Sequence, residues 1–191
     1  MKILAVRFQN LNSLKGEHEI RFDQNPLAEA GLFAITGPTG AGKTTILDAI
    51  TVGLYGRLHR HNEEKPLELM TRHTSESTSE VEFEANGKRY RSKWQIRRSR
   101  GKVDGKIQAV HMELCDLEDE KPFDLKPSQV PDKVAELCGL DYSQFLRSVM
   151  LSQGDFARFL KANSNERSNL LEKITDTGIY SQISKFAFEK A

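Results

Sequence analysis

The chain opens on alternation. In residues 2–9 (KILAVRFQ), Ile3, Ala5 and Arg7 point one way and Leu4, Val6 and Phe8 the other, which predicts a strand. A polar turn is expected over Asn10–Gly16, followed by a second strand through Ile20 and Phe22. Leu32–Thr36 is almost wholly apolar and predicts a third strand, buried on both faces. It runs into a glycine-rich turn at Gly37–Gly42, after which Ile46, Leu47, Ile50 and Leu54 recur at helical spacing. Further on, Ser79–Ala85 and Lys88–Ile96 flank Asn86-Gly87, the preferred pair for a type I′ hairpin turn. That turn pairs Phe83 with Tyr90 and Val81 with Ser92. It also sets Glu84, Glu82 and Glu80 opposite Arg89, Arg91 and Lys93. Ile107–Cys115 predicts a returning strand. Helices are expected over Val130–Leu137 and Tyr142–Met150, from Ser164 through Ile174, and over Ile179–Lys190. The last ends at Ala191 without a stop signal, as a longer chain cut here would.

Composition narrows the class. With 191 residues, 38% hydrophobic and 29% charged, the chain has the make-up of one folded domain with a short extension, and disorder is excluded. No apolar run approaches the length of a membrane span, and Arg7, Asn10 and Asn12 interrupt any leader-like stretch at the start. Cys115 and Cys138 lack metal-ligand spacing and read as reduced thiols of a cytoplasmic protein. The net charge of +1 hides an asymmetry: residues 88–106 carry nine cations against Asp104 alone. Arg89, Arg91 and Lys93 face glutamates and read as a self-neutralised surface. Arg97, Arg98, Arg100, Lys102 and Lys106 lack such partners and are candidate contacts to a DNA phosphate backbone.

The chemistry centres on Gly37-Pro38-Thr39-Gly40-Ala41-Gly42-Lys43-Thr44-Thr45, a complete GxxxxGK[ST] phosphate-binding loop. The glycines let backbone N–H groups surround phosphate oxygens. Lys43 supplies charge to the terminal phosphates, and the Thr44 hydroxyl completes the shell of a Mg²⁺ ion. Such a loop establishes nucleotide binding and leaves the reaction open. Small kinases usually place it on their first strand, whereas two strands come first here. A GTPase should carry an Asn-Lys-x-Asp motif, which is absent. Two antiparallel-type strands before the loop suit ATPase heads of the transporter and chromosome-maintenance class. Leu151-Ser152-Gln153-Gly154 could be a signature loop or a glutamine loop. Residues 155–191 contain no run of four apolar residues ending in Asp-Glu, which favours the glutamine loop, with Gln153 reaching the metal and the attacking water. A plain helix-linking turn is the alternative. His59, His61 and His73 lie in a polar stretch with no metal-site pattern, and Glu118-Asp119-Glu120 reads as a solvated turn.

Several segments together resemble the bacterial SbcC family: Phe8–Gly16, Gly31–Thr36 running into the phosphate loop, Leu47–Ile50, Leu69–Arg72, Gly139–Tyr142, Leu151–Ala157, Glu166-Arg167 and Ile179–Ser184. The resemblance implies an α/β fold of the ABC/SMC P-loop type, with a mixed sheet containing antiparallel strands around a central helix and a helical lobe leading into a coiled coil. Residues 1–125 would be the nucleotide-binding part, 126–175 a helical part with the glutamine loop, and 176–191, with Ile179, Ile183 and Phe186, the coiled-coil root. It implies ATP and Mg²⁺ as ligands, Lys43 and Gln153 as catalytic groups, and Asn12 and Ser13 near the nucleotide; related heads often place a basic residue where Asn12 stands. The implied partners are a carboxy-terminal lobe with the signature and the catalytic Glu, a second head, an SbcD-like nuclease subunit and double-stranded DNA. The implied role is ATP-controlled processing of DNA ends and hairpins, without turnover by these residues alone. A chromosome-organising head without a nuclease, or a self-contained kinase, is the alternative.

Overall fold

The computed structural model describes residues 1–58 and 69–148. Gln153, His59, His61, the helix expected from Ser164 and the Ile179 stripe lie outside them. The chain divides into two units, Met1–Gly139 and Leu140–Ala191.

The first unit is built on a sheet of six strands: β1 (Lys2–Leu11), β2 (Leu14–Arg21), β3 (Glu76–Ala85), β4 (Lys88–Arg97), β5 (His111–Asp116) and β6 (Lys121–Pro122). Their order is β2-β1-β3-β4-β5-β6, and every pairing among the described residues is antiparallel. These strands supply the antiparallel part of the expected sheet. The β3–β4 hairpin has the register that Asn86-Gly87 dictates, from Ala85 opposite Lys88 out to Glu76 opposite Arg97. Its charges distribute differently from expectation. Arg7 on neighbouring β1 takes both carboxylates, at 2.9 Å to Glu80 and 2.6 Å to Glu82, and bonds Glu19 of β2 at 2.8 Å as well. A fork of five donors between two strands outcompetes single cations directly opposite. The sheet's outer face is therefore neutralised through Arg7 instead of through Arg91 and Lys93.

Two expected boundaries move, and one expected strand is not formed. The Asn10–Gly16 turn shrinks to Asn12-Ser13, because Asn10 and Asn12 both adopt left-handed backbone (φ 51°), which asparagine tolerates. Asn10 then bridges strands with its side chain, accepting from Gly16 N–H at 2.9 Å and donating to the Glu76 carbonyl at 3.1 Å. The strand expected from Ile107 begins at His111; residues 107–110 carry only the isolated Arg98–Ile107 bridge, just past β4, and the Gln108 N–H to Arg97 carbonyl bond. The larger correction concerns Leu32–Thr36, which is no strand and is not buried. Leu32 is 91% exposed, and Phe33 and Ile35 are exposed too, although the Phe22 ring stacks on Phe33 at 5.8 Å. Apolar composition states how much a segment gains from burial; a strand also needs a neighbour offering its own N–H and C=O groups, and none of the described strands does.

Helix α1 (Lys43–Tyr55) lies across β1, β3 and β4, with residues from Asp48 to Tyr55 buried without interruption. The contact is close because small residues meet there. Ser79 Oγ donates 2.6 Å to the Ala49 carbonyl and Ser92 Oγ donates 2.7 Å to the Gly53 carbonyl, one helical turn further on. A Cβ on Gly53 would lie 2.7 Å from Val81 Cγ2. Beside them Trp94, Phe83, Leu54 and Val52 form the core. Helix α2 (Val130–Cys138) buries Val130 and Val134 and packs on α1 and β5. Helix α3 (Tyr142–Ser148) belongs to the second unit.

Candidate nucleotide-binding site

The loop enters α1 through Gly42, whose left-handed backbone (φ 84°) reverses the chain into the helix. No side chain caps this helix, and its first turn contains no acid. Its leading amides and positive dipole end are thus left to an external anion. Residues 31–41 are exposed throughout. The Lys43 side chain folds back over the loop, donating 2.7 Å to the Gly37 carbonyl and 2.8 Å to the Pro38 carbonyl. The ammonium is held at the loop's mouth by neutral acceptors, which leaves its charge available to a phosphate. Thr44 is half-buried, whereas Thr45 is 3% exposed, with its N–H on the Gly42 carbonyl at 2.9 Å. Of the two threonines, Thr44 has the hydroxyl suited to a metal, and Thr45 anchors the helix. Gly37, Pro38, Thr39, Gly40 and Ala41 complete the turn, closed by an Ala41 N–H to Pro38 carbonyl bond of 3.2 Å. An anionic group suits this arrangement, and Mg²⁺ would find an oxygen ligand in Thr44.

Beside the loop sits the β1–β2 turn. The Asn12 side chain in this turn faces α1 and donates 2.9 Å to Asp48 Oδ2. Ser13 is exposed. Leu14 occupies the space beside Gly42, 2.8 Å from where a Cβ would stand. Thr71 Oγ1 bonds the Leu14 carbonyl at 3.3 Å, and the Asn12 N–H bonds the Leu69 carbonyl at 2.6 Å. Sequence reasoning does not single out Asp48, Leu14 or Thr71 as part of this assembly. The available signal is Asp48 itself, an acid within an otherwise apolar stretch, Ile46–Ile50.

The basic candidates run from Arg97, the last residue of β4, into the loop joining β4 to β5. Arg97, Arg100, Lys102 and Lys106 are exposed. Arg98 is set apart: its Nη1 donates 3.1 Å to the Gly105 carbonyl and its backbone bridges Ile107, so it braces the loop. His73 is exposed, and among the described residues no group of three His, Cys, Asp or Glu side chains could hold a metal. No described helix is long and apolar enough to cross a membrane.

A glycine turn delivering a lysine to the uncapped start of a helix buried on a sheet defines a phosphate-loop nucleotide-binding protein of the α/β class. A family model described as an AAA domain matches residues 5–187, and the chain belongs to that family. Along its whole length it is also similar to SbcC. The SbcC chain of the nuclease SbcCD from Pseudomonas aeruginosa is 44% identical over 211 residues, covering 100% of this chain and 17% of that protein. Its counterpart from Rhodobacter capsulatus is 40% identical over 208 residues, again with 100% and 17% covered. A probable DNA double-strand break repair Rad50 ATPase of Aquifex aeolicus is 33% identical over 73% of this chain and 13% of its own length. The chain thus spans about a sixth of the length of these SbcC relatives.

Proposed function

We propose that this chain is the ATP-binding part of an ABC/SMC-type ATPase head that governs a partner nuclease in DNA double-strand-break repair. The observation that carries the reading is Lys43, held over an exposed glycine turn at the uncapped start of α1. The loop's backbone amides and Lys43 would hold the phosphates of ATP, with Thr44 as a Mg²⁺ ligand and Gln153 as a second one that also orients water. Bound Mg²⁺ would draw charge from the terminal phosphates. Asn12 and Ser13 would border the nucleotide.

The rest of the active site would come from elsewhere: a carboxy-terminal lobe of the same protein, and the signature of a second head facing this loop across the nucleotide. The exposed Leu32, Phe33 and Ile35 support such a lobe, because apolar side chains left at the surface beside the phosphate loop are what a further covering element would bury. Arg97, Arg100, Lys102 and Lys106 would contact double-stranded DNA through its phosphates, an SbcD-like nuclease would do the cutting, and residues 176–191 would begin a coiled coil. The protein would act in the bacterial cytoplasm at the nucleoid.

The test is steady-state ATP turnover by this chain alone and after addition of a separately produced carboxy-terminal lobe of an SbcC relative. A half-head turns over only in the mixture. Sustained turnover by the chain alone, abolished by Lys43→Ala, would show a self-contained kinase-like site and overturn the reading.

A further inference from the structure

Among the described residues, the side chains of Asn12 and Asp48 join the β1–β2 turn to the phosphate-loop helix. Asn12 Nδ2 donates to Asp48 Oδ2 at 2.9 Å, and Asp48 is 1% exposed. Asp48 follows Thr44 by four residues, so the two share one face of α1, a single turn apart. A carboxylate at that depth is costly without donors, and Asn12 supplies one. The same turn touches the loop at a second point, where Leu14 occupies the space a side chain on Gly42 would need. From its other side the turn is fastened by Asn12 N–H to the Leu69 carbonyl (2.6 Å), Thr71 N–H to the Asn10 carbonyl (2.9 Å) and Thr71 Oγ1 to the Leu14 carbonyl (3.3 Å). The turn is therefore a rigid abutment, and the Asn12–Asp48 bond joins it to the helix that begins at Lys43.

We infer that the Asn12–Asp48 hydrogen bond is a latch fixing residues 42–44 against the β1–β2 turn, and that Asn12 is a positioning residue, acting on bound phosphates through Asp48 without touching them. This deepens the ATP-binding reading and rests on it for the phosphates; the latch itself can be read without nucleotide. An amide donor facing a carboxylate acceptor can be exchanged end for end, because Asn and Asp have nearly the same shape. Asn12→Asp alone sets two carboxylates against each other. Adding Asp48→Asn returns one donor and one acceptor to the same two places.

The experiment compares the wild type, Asn12→Ala, Asn12→Asp and the double variant Asn12→Asp/Asp48→Asn. Amide hydrogen exchange at Thr45, whose N–H bonds the Gly42 carbonyl, is followed without nucleotide, and MgATP affinity is measured by calorimetry. Losing a hydrogen bond to a charged group should speed Thr45 exchange and weaken MgATP binding by about tenfold in Asn12→Ala, and by up to about a hundredfold in Asn12→Asp. The double variant should return both readouts to within about threefold of wild type. If Asn12→Asp does not fold, Asn12→Ala and the double variant still decide the question. Two results overturn the inference: Thr45 exchange unchanged in Asn12→Ala, or exchange restored in the double variant while MgATP affinity stays low, as a carboxylate touching the phosphates would make it. Restored exchange in a set of proteins of which none, wild type included, binds MgATP would uphold the latch and refute the ATP reading instead.

Discussion

Gly53→Ala should unlatch the phosphate-loop helix from its sheet. The new methyl group would lie 2.7 Å from Val81 Cγ2, about 0.7 Å inside the near edge of ordinary contact at 3.4 Å, and 3.2 Å from Ser79 Oγ. Neither neighbour can retreat. Val81 is wholly buried with a stiff branched side chain, and the Ser79 hydroxyl is committed to the Ala49 carbonyl. The helix must rise instead, which stretches the Ser79–Ala49 and Ser92–Gly53 bonds together. Overpacking of this kind costs ~1–3 kcal/mol. Weakening two hydrogen bonds adds up to ~1 kcal/mol each. Against this, replacing a mid-helix glycine with alanine returns ~1 kcal/mol of helix propensity. The balance is a loss centred on about 2 kcal/mol.

Urea unfolding followed by Trp94 fluorescence reads it directly, since Trp94 is the sole tryptophan and is fully buried beside this helix. The midpoint should fall by about 1 M or more. Val81→Ala in the Gly53→Ala background should recover part of the loss, making the double variant more stable than the two single losses added together. A midpoint that is unchanged or raised in Gly53→Ala would mean propensity outweighs the clash, and the close-contact argument would be wrong.

Other outcomes follow from the same geometry. Burial pushes the Cys138 thiol up to about 11. A thiolate disfavoured in the fold stabilises the protein below the ordinary thiol range, near 9, and that contribution is lost as pH rises through about 11. Maleimide labelling of Cys138 at pH 8 should accordingly be slower than that of a free thiol, and equal rates would contradict the assignment. Replacing Arg100, Lys102 and Lys106 with Ala in the assembled head should flatten the salt dependence of DNA affinity by up to ~3 in log-log slope. Arg98→Ala should instead loosen the β4–β5 loop, raising exchange at Ser99, whose N–H bonds the Lys106 carbonyl at 2.8 Å. A slope unchanged in the triple variant would remove this loop from the DNA surface.

What the sequence makes legible here is what neighbours in the chain decide. Asn86-Gly87 specifies its hairpin and every cross-strand partner out to Glu76 and Arg97, because a two-residue turn leaves no freedom in register. The phosphate loop is equally local, down to which threonine has a hydroxyl outside the core. Partners brought from a distance are less visible. Glu80 and Glu82 face Lys93 and Arg91 in the hairpin, yet they bond Arg7, more than seventy residues away. Leu32–Thr36 announces a need for burial but not its neighbour. Ser79 and Ser92 occupy inward positions where an apolar residue would be expected, a signal of close helix approach that the alternation carries and that is easily read as ordinary polarity. Asn12 likewise finds its partner, Asp48, 36 residues along the chain.

Whether Lys43 and its loop hold the phosphates of ATP is read by calorimetric titration of the chain with MgATP, wild type against Lys43→Ala. Saturable one-to-one binding is expected, weakened at least about tenfold by Lys43→Ala, as loss of a charge-assisted contact to phosphate requires. Binding of equal strength in both proteins, or none in either, would contradict it.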